Sequence, residues 1–281
     1  IEPSMLGFEE LEELWEPLDT VMEQLGVTEE LQPAAMEMGK INGTLYGVVR
    51  DFYLRTVVAN PDLMDWDYDR FFQCVQDRPE LEAICDYYEG GNVFYYLVSI
   101  LNHGLDDNYF IVPDEETGAL HFDSARFRQI LDLAEKYGSR AEGVEAGNSL
   151  LEGKVLCNTL NILNPEDVAA CRIIYGEDVN FIGYPAKDGG MNQMSTSNIL
   201  SIRRTAAKEE KEAAAAFLAL YLSYEGQIHA AKEINFHLSV RRDVLEEQIA
   251  SMGSQTHMPD FGEISMRGRM DIERDRATLL D

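Results

Sequence analysis

The chain has 281 residues, of which 45% are hydrophobic and 10% aromatic, as in a globular protein with one large or two ordinary domains. Its 51 acidic and 23 basic residues give a formal net charge of -28, which argues against nucleic acid or anionic lipid as a partner. No apolar run approaches the roughly 20 residues that span a bilayer.

The first predicted elements are a helix and a hairpin. Apolar residues recur at helical spacing over residues 8–25, with acidic residues opposite them, and Pro17 is expected to kink or split this helix. Further on, the pair Asn42-Gly43 predicts a hairpin turn, because both residue types tolerate positive φ.

A predicted strand follows the hairpin and is interrupted by charge. Residues 45–49 are typical of a buried strand, Arg50 and Asp51 break it, and aromatic and β-branched residues resume at 52–58. The two charged residues fit a site or hinge and a structural ion pair equally well.

Two amphipathic helices are predicted in the middle of the chain. After the turn at Asn60-Pro61, Asp65 or Asp67 is suited to cap the first helix. Its apolar face comprises Phe71, Phe72 and Val75. The second helix begins near Ser124 and stops at Gly138. Its inward residues are expected to be Phe127, Ile130, Leu131 and Leu133. Between them, residues 91–103 predict an aromatic-rich helix.

The second half of the chain alternates helices and strands. A short helix, a glycine and a strand are predicted over residues 148–162, and a helix and a strand follow over 165–190. Residues 196–202 predict another strand, and an alanine-rich helix then runs to Gly226. Because helices and strands interleave without a repeat period, the predicted fold class is α/β.

Motifs for enzymatic or metal chemistry are missing from the sequence. It contains no Walker loop, GxGxxG, HExxH or GxSxG pattern. Asp65, Asp67 and Asp69 imitate the start of a calcium loop, but Arg70 and Gln76 occupy the positions that require Gly and Glu. The four cysteines form no CxxC pair, and Cys157 is expected to act as a small apolar core residue. We therefore expect no metal, no cofactor and no catalytic residue.

The five histidines are interpreted as surface or packing residues.

The sequence features that indicate a ligand-binding site are segments that combine aromatic and polar residues. A site for a neutral polar ligand such as a sugar needs aromatic faces together with a few amide, carboxylate or Arg groups. Four stretches offer this mixture at strand ends or loops: 48–53, 155–161, 182–198 and the cluster Phe94, Tyr95 and Tyr96.

Several of these stretches, in the same order, resemble the family-1 extracellular solute-binding proteins of ABC importers. "INGTLYGVVRDFYLRTVVANPDLM" resembles a hairpin and crossing strand of that family, and "LLEGKVLCNTLNI" resembles its helix-strand unit. "FIGYPAKDGG", "SNILSIRRTAAKEEKEAAAAFLALYLSYEGQ" and "LSVRRDVLEE" resemble later segments. Five matches in register extend over most of the chain.

The resemblance implies a two-lobe, periplasmic-binding-protein-like type II fold with a ligand cleft between lobes that close about a hinge. Residues 1–53 and 186–225 are expected in the first lobe, and residues 54–185 and 226–281 in the second. The family normally begins with about two β-α units, so the first lobe is expected to lack its N-terminal βα units in this chain.

The resemblance also implies where ligand binds. The corresponding ligand-binding residues are Arg50, Asp51, Tyr53, Tyr95, Asn158, Thr159, Tyr184 and Asn192. One departure concerns the tryptophan that serves many members as a sugar platform. Neither Trp15 nor Trp66 maps to that position, so Tyr53, Tyr95 or Tyr184 would have to replace it.

The function implied is non-catalytic capture of a sugar or oligosaccharide outside the cell and its delivery to the permease subunits of an ABC transporter. The protein is expected to be a monomer, and either a cell-surface lipoprotein or periplasmic, with its signal segment outside this chain. Three alternatives stay open: a binding protein for a non-sugar polar or cationic solute, a glycoside-active enzyme with paired carboxylates, and a fragment that serves as an interaction module.

Overall fold

The fold is known from a computed structural model that describes residues 13–60, 62–63, 66–85, 122–137, 148–186, 188–196, 198–232, 237–252 and 271–280. The chain divides into two compact units. Unit 1 contains Ile1–Leu54, Leu163–Ala169 and Met194–Asp281, and unit 2 contains Arg55–Ile162 and Ala170–Gln193. The first passage between the units, from Leu54 to Arg55, falls inside a strand. The predicted helix at 91–103 lies outside the described residues.

Helices and strands interleave along the described chain. The helices are α1 (Asp19–Leu25), α2 (Pro33–Glu37), α3 (Tyr68–Asp77), α4 (Ala125–Tyr137), α5 (Asn148–Leu151), α6 (Glu166–Tyr175), α7 (Lys208–Leu222), α8 (Tyr224–Ala230), α9 (Arg242–Ala250) and α10 (Ile272–Leu280). The strands are β1 (Lys40–Ile41), β2 (Thr44–Leu45), β3 (Val48–Val49), β4 (Tyr53–Ala59), β5 (Cys157–Ile162), β6 (Asn180–Phe181), β7 (Tyr184–Ala186), β8 (Gly189–Met191), β9 (Gln193–Ser195) and β10 (Ile199–Leu200). The predicted α/β class is confirmed.

The predicted hairpin is present in unit 1. Strands β1 and β2 pair antiparallel, with Ile41 opposite Thr44. Asn42 and Gly43 form the two-residue turn at φ values of 50° and 81°. Two positive φ values in succession define the turn type whose twist matches that of a hairpin, so the sequence signal and the geometry have the same cause.

The core of unit 1 forms around the short strand β3. This strand pairs antiparallel with β10, and Val49 lies opposite Ile199. The same core contains further buried apolar residues: Leu18, Met22, Leu31, Ala35, Leu218 and Leu222. Helix α1 begins only at Asp19, which agrees with the expected break at Pro17, since a proline removes a helical hydrogen bond.

The described part of residues 226–281 belongs to unit 1, whereas the sequence placed this segment in the second lobe. Leu238 exchanges two main-chain hydrogen bonds with Phe52, of 2.8 and 3.0 Å. Both residues and Val240 are buried in the unit-1 core. The segment thus extends the pairing of the chain beside β3, a tertiary contact that no local sequence pattern reveals.

Unit 2 is built on strands β5, β4 and β6, which lie side by side in that order. Helix α3 is capped by Asp67, whose Oδ1 accepts a hydrogen bond from the Arg70 amide at 2.7 Å, as predicted. Trp66 lies fully buried beneath this helix. Its Nε1 donates to the Gly183 carbonyl at 2.9 Å, so the indole fixes the loop before β7 as well as filling the core.

Two helix predictions require correction. Leu131 of α4 was expected to face inward, but it is 45% exposed, because Ile130 and Tyr137 define the buried side of the helix. The alanine-rich helix α7 ends at Leu222 rather than at Gly226, because Ser223 adopts an extended conformation. The Ser223 hydroxyl then accepts a hydrogen bond from the Gly226 amide at 3.0 Å and caps α8.

Cys157 is a fully buried thiol in the unit-2 core, as predicted. Among the described residues, no helix is long and apolar enough to cross a membrane.

Candidate functional site

The interval between β3 and β4 is held by main-chain contacts. The Arg50 amide donates a hydrogen bond to the Asn198 carbonyl at 3.2 Å. The Asp51 carbonyl accepts one from the Thr196 hydroxyl at 2.8 Å. The charged break is therefore an ordered piece of backbone, and its two side chains project from fixed positions.

Arg50 and Asp51 form an ion pair with each other. Arg50 Nε donates to Asp51 Oδ2 at 2.5 Å. The Asp51 side chain is completely buried, whereas 26% of the Arg50 side chain is exposed. The other carboxylate oxygen, Asp51 Oδ1, is buried and has no hydrogen-bond partner within the part of the chain that the structure describes. One acceptor of this carboxylate is thus open to a donor from outside the described residues.

Burial raises the pKa of the Asp51 carboxyl above its ordinary value. The positive charge of Arg50 and its hydrogen bond oppose this shift, and so, more weakly, does His237. A buried carboxylate with one unsatisfied oxygen is costly in free energy. A ligand hydroxyl or cation that reached Oδ1 would recover part of that cost.

Tyr53 and His237 provide the aromatic surface next to this pair. Their rings meet edge to face with centroids 5.9 Å apart, and both side chains are half-buried. His237 was interpreted from sequence as a surface or packing residue. It lies 184 positions after Tyr53 and comes near it through the Phe52–Leu238 pairing, so only the tertiary structure reveals it.

A second carboxylate of unit 1 lies close to His237. Asp167, in the first turn of α6, accepts hydrogen bonds at Oδ2 from the amides of Leu163 (2.7 Å) and Asn164 (3.0 Å). Burial nevertheless raises the pKa of Asp167, and His237 acts in the opposite direction. His237 therefore interacts electrostatically with both Asp51 and Asp167. No local pattern in the sequence marks Asp167 as a site residue.

The buried side-chain amide of Gln227 contacts the backbone of Arg50. Gln227 is completely buried, and its Nε2 donates to the carbonyls of Tyr221 (3.3 Å) and Arg50 (3.5 Å). Its Oε1 accepts from the Ser239 hydroxyl at 2.7 Å. Because both ends of the amide are satisfied, Gln227 connects α8 and the segment after it to the charged interval.

The remaining predicted residues belong to unit 2, apart from Tyr95, which lies outside the described residues. Asn158 is buried in β5, and Thr159 next to it is half-buried. Asn192 is exposed, and its Oδ1 accepts a hydrogen bond from the Thr56 hydroxyl at 2.6 Å. Thr56 in β4 thus positions the Asn192 amide, a contact that the sequence analysis did not anticipate.

Tyr184 is less suited to stacking on a sugar than the sequence suggested. Its side chain is only 1% exposed, within the unit-2 core. The guanidinium carbon of Arg55 lies 5.8 Å from the ring centroid. Burial raises the pKa of the Tyr184 hydroxyl, and the charge and hydrogen bond of Arg55 oppose this. A ring that is covered in this way acts as a packing residue of the unit-2 core. Of the predicted aromatic residues that the structure describes, Tyr53 is the one with part of its surface accessible.

No cation site is evident in the described part of the chain, where no three His, Cys, Asp or Glu residues are placed to hold a metal ion. The arrangement around Arg50 instead offers a charged donor, a buried acceptor and an aromatic edge. Those groups can bind a polar organic molecule through hydrogen bonds and ring contacts.

Solved structures resemble this chain. The sugar-binding protein MalE from the phytopathogen Xanthomonas citri has a TM-score of 0.55 and 15% identity, over 96% of this chain and 78% of its own. A chitin oligosaccharide binding protein has a TM-score of 0.51 and 17% identity, over 95% of this chain and 77% of its own. The ABC substrate-binding protein Lmo0181 from Listeria monocytogenes, in complex with cycloalternan, has a TM-score of 0.50 and 13% identity, over 96% and 79%.

The chain has the two-lobe periplasmic-binding-protein fold. The fold that the sequence resemblance implied is therefore confirmed. No protein-family model matches the sequence, and neither does any curated protein. At 13–17% identity the likeness concerns the fold, and the assignment of ligand rests on the residues described above.

Proposed function

We propose that this protein is a non-catalytic solute-binding protein that captures a sugar or oligosaccharide and delivers it to the permease subunits of an ABC transporter. The observation that carries the proposal is the Arg50–Asp51 pair with its open acceptor, Asp51 Oδ1, in a periplasmic-binding-protein fold. Carbohydrate is favoured as the ligand because solved proteins of this fold bind chitin oligosaccharide, cycloalternan and other sugars.

The chemistry of the unit-1 residues suits a sugar. A hydroxyl group can donate to Asp51 Oδ1 and accept from Arg50, and the C–H face of a pyranose can lie against Tyr53. Micromolar affinity corresponds to about -8 kcal/mol, which a few hydrogen bonds and one or two aromatic contacts supply. Asn158, Thr159 and Asn192 of unit 2 are proposed as further polar contacts, and Tyr184 as a support for them.

Binding without turnover is part of the proposal. Asp51 is already engaged by Arg50, and Asp167 accepts two main-chain hydrogen bonds through one oxygen. Such carboxylates are suited to holding ligand hydroxyl groups through their remaining acceptor sites. We expect sugars recovered after incubation with the protein to be unchanged.

We further propose that the protein acts outside the cell, as a lipoprotein or in a periplasm, and as a monomer. These assignments follow from the fold class and the delivery role. Copurification of the intact natural precursor with membranes that contain its permease tests the location and the partner together.

Titration of the full chain against a ligand panel tests the ligand class. The panel contains malto- and chito-oligosaccharides, galactose, and putrescine as a cationic contrast, and the readouts are the heat of binding and the unfolding temperature. Binding of at least one carbohydrate supports the proposal. Binding of putrescine with no response to any sugar would replace it with capture of a cationic solute.

A further inference from the structure

Two cysteines of unit 2 touch each other inside the core. The Sγ atoms of Cys85 and Cys157 are 3.7 Å apart, which is van der Waals contact. The two residues are 1% and 0% exposed, and both thiols are reduced in the structure. The candidate ligand site does not include either thiol.

The backbone register places these thiols face to face. An isolated parallel bridge joins Ala83 to Val155. The Cys157 amide donates to the Ile84 carbonyl at 3.0 Å, next to this bridge. Cys85 and Cys157 each follow the bridge by two residues. The Sγ–Sγ contact shows that both thiols project into the same space between the two segments.

We propose that Cys85 and Cys157 form a disulfide bond as the protein folds in an oxidising environment. The two Sγ atoms already lie 3.7 Å apart, so closure to a bond of about 2 Å requires movement of the two side chains. Disulfides persist in the extracellular and periplasmic compartments in which proteins of this class would act. The proposal concerns the unit-2 core and stands whether or not the ligand is a sugar.

The oxidant is a small disulfide, such as oxidised glutathione. One cysteine loses its proton, and its thiolate attacks the small disulfide, forming a mixed disulfide and releasing one small thiolate. The second cysteine thiolate attacks the protein sulfur of that mixed disulfide, forming the Cys85–Cys157 bond and releasing the second small thiolate. The two released thiolates take up the two protons, so two protein thiols are oxidised and one small disulfide is reduced.

The disulfide is expected to form while the protein folds and before its core has fully closed. Burial raises the pKa of the Cys157 thiol well above its ordinary value, and the neighbouring Cys85 and Cys74 add to the shift. The reactive thiolate is therefore scarce once the core has closed. We expect rapid oxidation during refolding and slow oxidation of the folded, reduced protein.

The bond would constrain the chain beside the candidate site. It would join residues 72 positions apart and fix the segment that ends at Cys85 against β5. Asn158 and Thr159 directly follow Cys157. A cross-link that closes a long loop stabilises mainly by restricting the unfolded chain.

Peptide mapping of the full chain tests the connection. The protein is refolded in a glutathione redox buffer, its remaining thiols are alkylated with iodoacetamide, and it is digested with Glu-C, which cleaves after glutamate. Glu80 and Glu82 separate Cys74 from Cys85, and Glu152 and Glu166 flank Cys157. We expect a linked Cys85–Cys157 peptide pair that dithiothreitol separates, with Cys74 alkylated. Full alkylation of all four cysteines, or a link that includes Cys74, would overturn the proposal.

Thermal unfolding provides a second measurement. Dithiothreitol is expected to lower the unfolding temperature of the wild type by roughly 4–10 °C. The Cys85→Ala and Cys157→Ala variants should lose this response, whereas Cys171→Ala, which removes another buried thiol of unit 2, should keep it. An equal response to dithiothreitol in all four proteins would contradict the bond. The mapping on the wild type decides the question even if a variant fails to fold.

Discussion

Asp51 Oδ2 accepts a hydrogen bond from Arg50 Nε at 2.5 Å, while Asp51 Oδ1 is buried without a partner in the described chain. One carboxylate oxygen is satisfied by the neighbouring Arg50, and the other is buried with its acceptor sites unused in the described chain. A core ion pair selected only for stability would be expected to satisfy both oxygens. The unsatisfied oxygen is consistent with a group held ready for a ligand.

Replacing Asp51 should separate binding from stability. Asp51→Asn keeps the shape but removes the charge, so a ligand hydroxyl loses a charge-assisted bond, and we expect a 10- to 100-fold loss of affinity for the carbohydrate. The free energy of unfolding at neutral pH should equal or exceed that of the wild type, because burial disfavours the ionised carboxyl. Calorimetric titration and urea unfolding measure the two effects. The control is Asp62→Asn, at an exposed aspartate paired with Arg78, which should leave affinity unchanged.

The same substitution has a pH signature. A carboxyl whose pKa is raised by folding contributes stability at low pH and loses that contribution as the pH rises through its folded pKa. The stability of the wild type minus that of Asp51→Asn should therefore fall as the pH rises from 3.8 toward neutrality. Other raised carboxyls, such as Asp167, are present in both proteins and cancel. Urea unfolding across this range measures the difference, and a rise with pH would show that the Arg50 charge outweighs burial.

Tyr53 should contribute to affinity through its ring. Tyr53→Ala removes the aromatic face and is expected to weaken sugar binding by about 10-fold, whereas Tyr53→Phe retains most of the affinity. Tyr224→Ala is a matched control, because Tyr224 lies in α8 and donates its hydroxyl proton to Glu247 outside the proposed contacts. Equal affinity of Tyr53→Ala and the wild type would remove Tyr53 from the site.

The break at Arg50 and Asp51 could be predicted from the sequence because neighbouring residues define it. A strand that breaks at Arg50 and Asp51 and resumes at Phe52 is visible in the order of residues, and so is the Asn42-Gly43 turn. His237 and Asp167 were missed because they approach this interval only through long-range pairing. Tyr184 was overvalued for a related reason: the sequence identifies an aromatic residue but not whether its face is covered by Arg55.

Two glycines with positive φ should differ sharply in their tolerance of alanine. A Cβ on Gly183, at φ 72°, would lie 2.6 Å from the Met191 backbone, whereas a Cβ on Gly43, at φ 81°, would meet no atom within 4 Å. Gly43→Ala should cost about 1 kcal/mol of unfolding free energy from backbone strain alone. Gly183→Ala should cost about 3 kcal/mol or more, because Met191 cannot move without disturbing the β7–β8 pairing. Urea unfolding compares the two, and equal losses would contradict the close approach.

Gln227 tests the placement of the C-terminal segment in unit 1. Gln227→Met keeps the length of the side chain but leaves the Ser239 hydroxyl and main-chain carbonyls without their partner, so we expect a loss of about 1–3 kcal/mol in unfolding free energy. Gln73→Met, at an exposed position of α3 where the amide contacts Asp77, should change it by less than about 0.5 kcal/mol. Similar small effects at both positions would argue against a structural role for the buried amide.

The division between local and tertiary information also applies to the C-terminal segment. The unit to which helix α9 belongs depends on the pairing of Leu238 with Phe52, which the residues of the helix do not reveal. Likewise, Gly226 resembles a helix stop, while the actual end at Leu222 is set by the extended Ser223 and its cap on the next helix. The local residue pattern predicts whether a segment is a helix or a strand, whereas long-range contacts determine the unit to which it belongs.

Calorimetric titration of the full chain with the carbohydrate panel tests the central claim most directly. We predict saturable binding of at least one sugar at a Kd on the order of 1 μM, lost in the Asp51→Asn, Tyr53→Ala double variant while the variant remains folded by circular dichroism. Absence of binding to every sugar in the panel by the folded wild type, or undiminished binding by the folded double variant, would contradict the account.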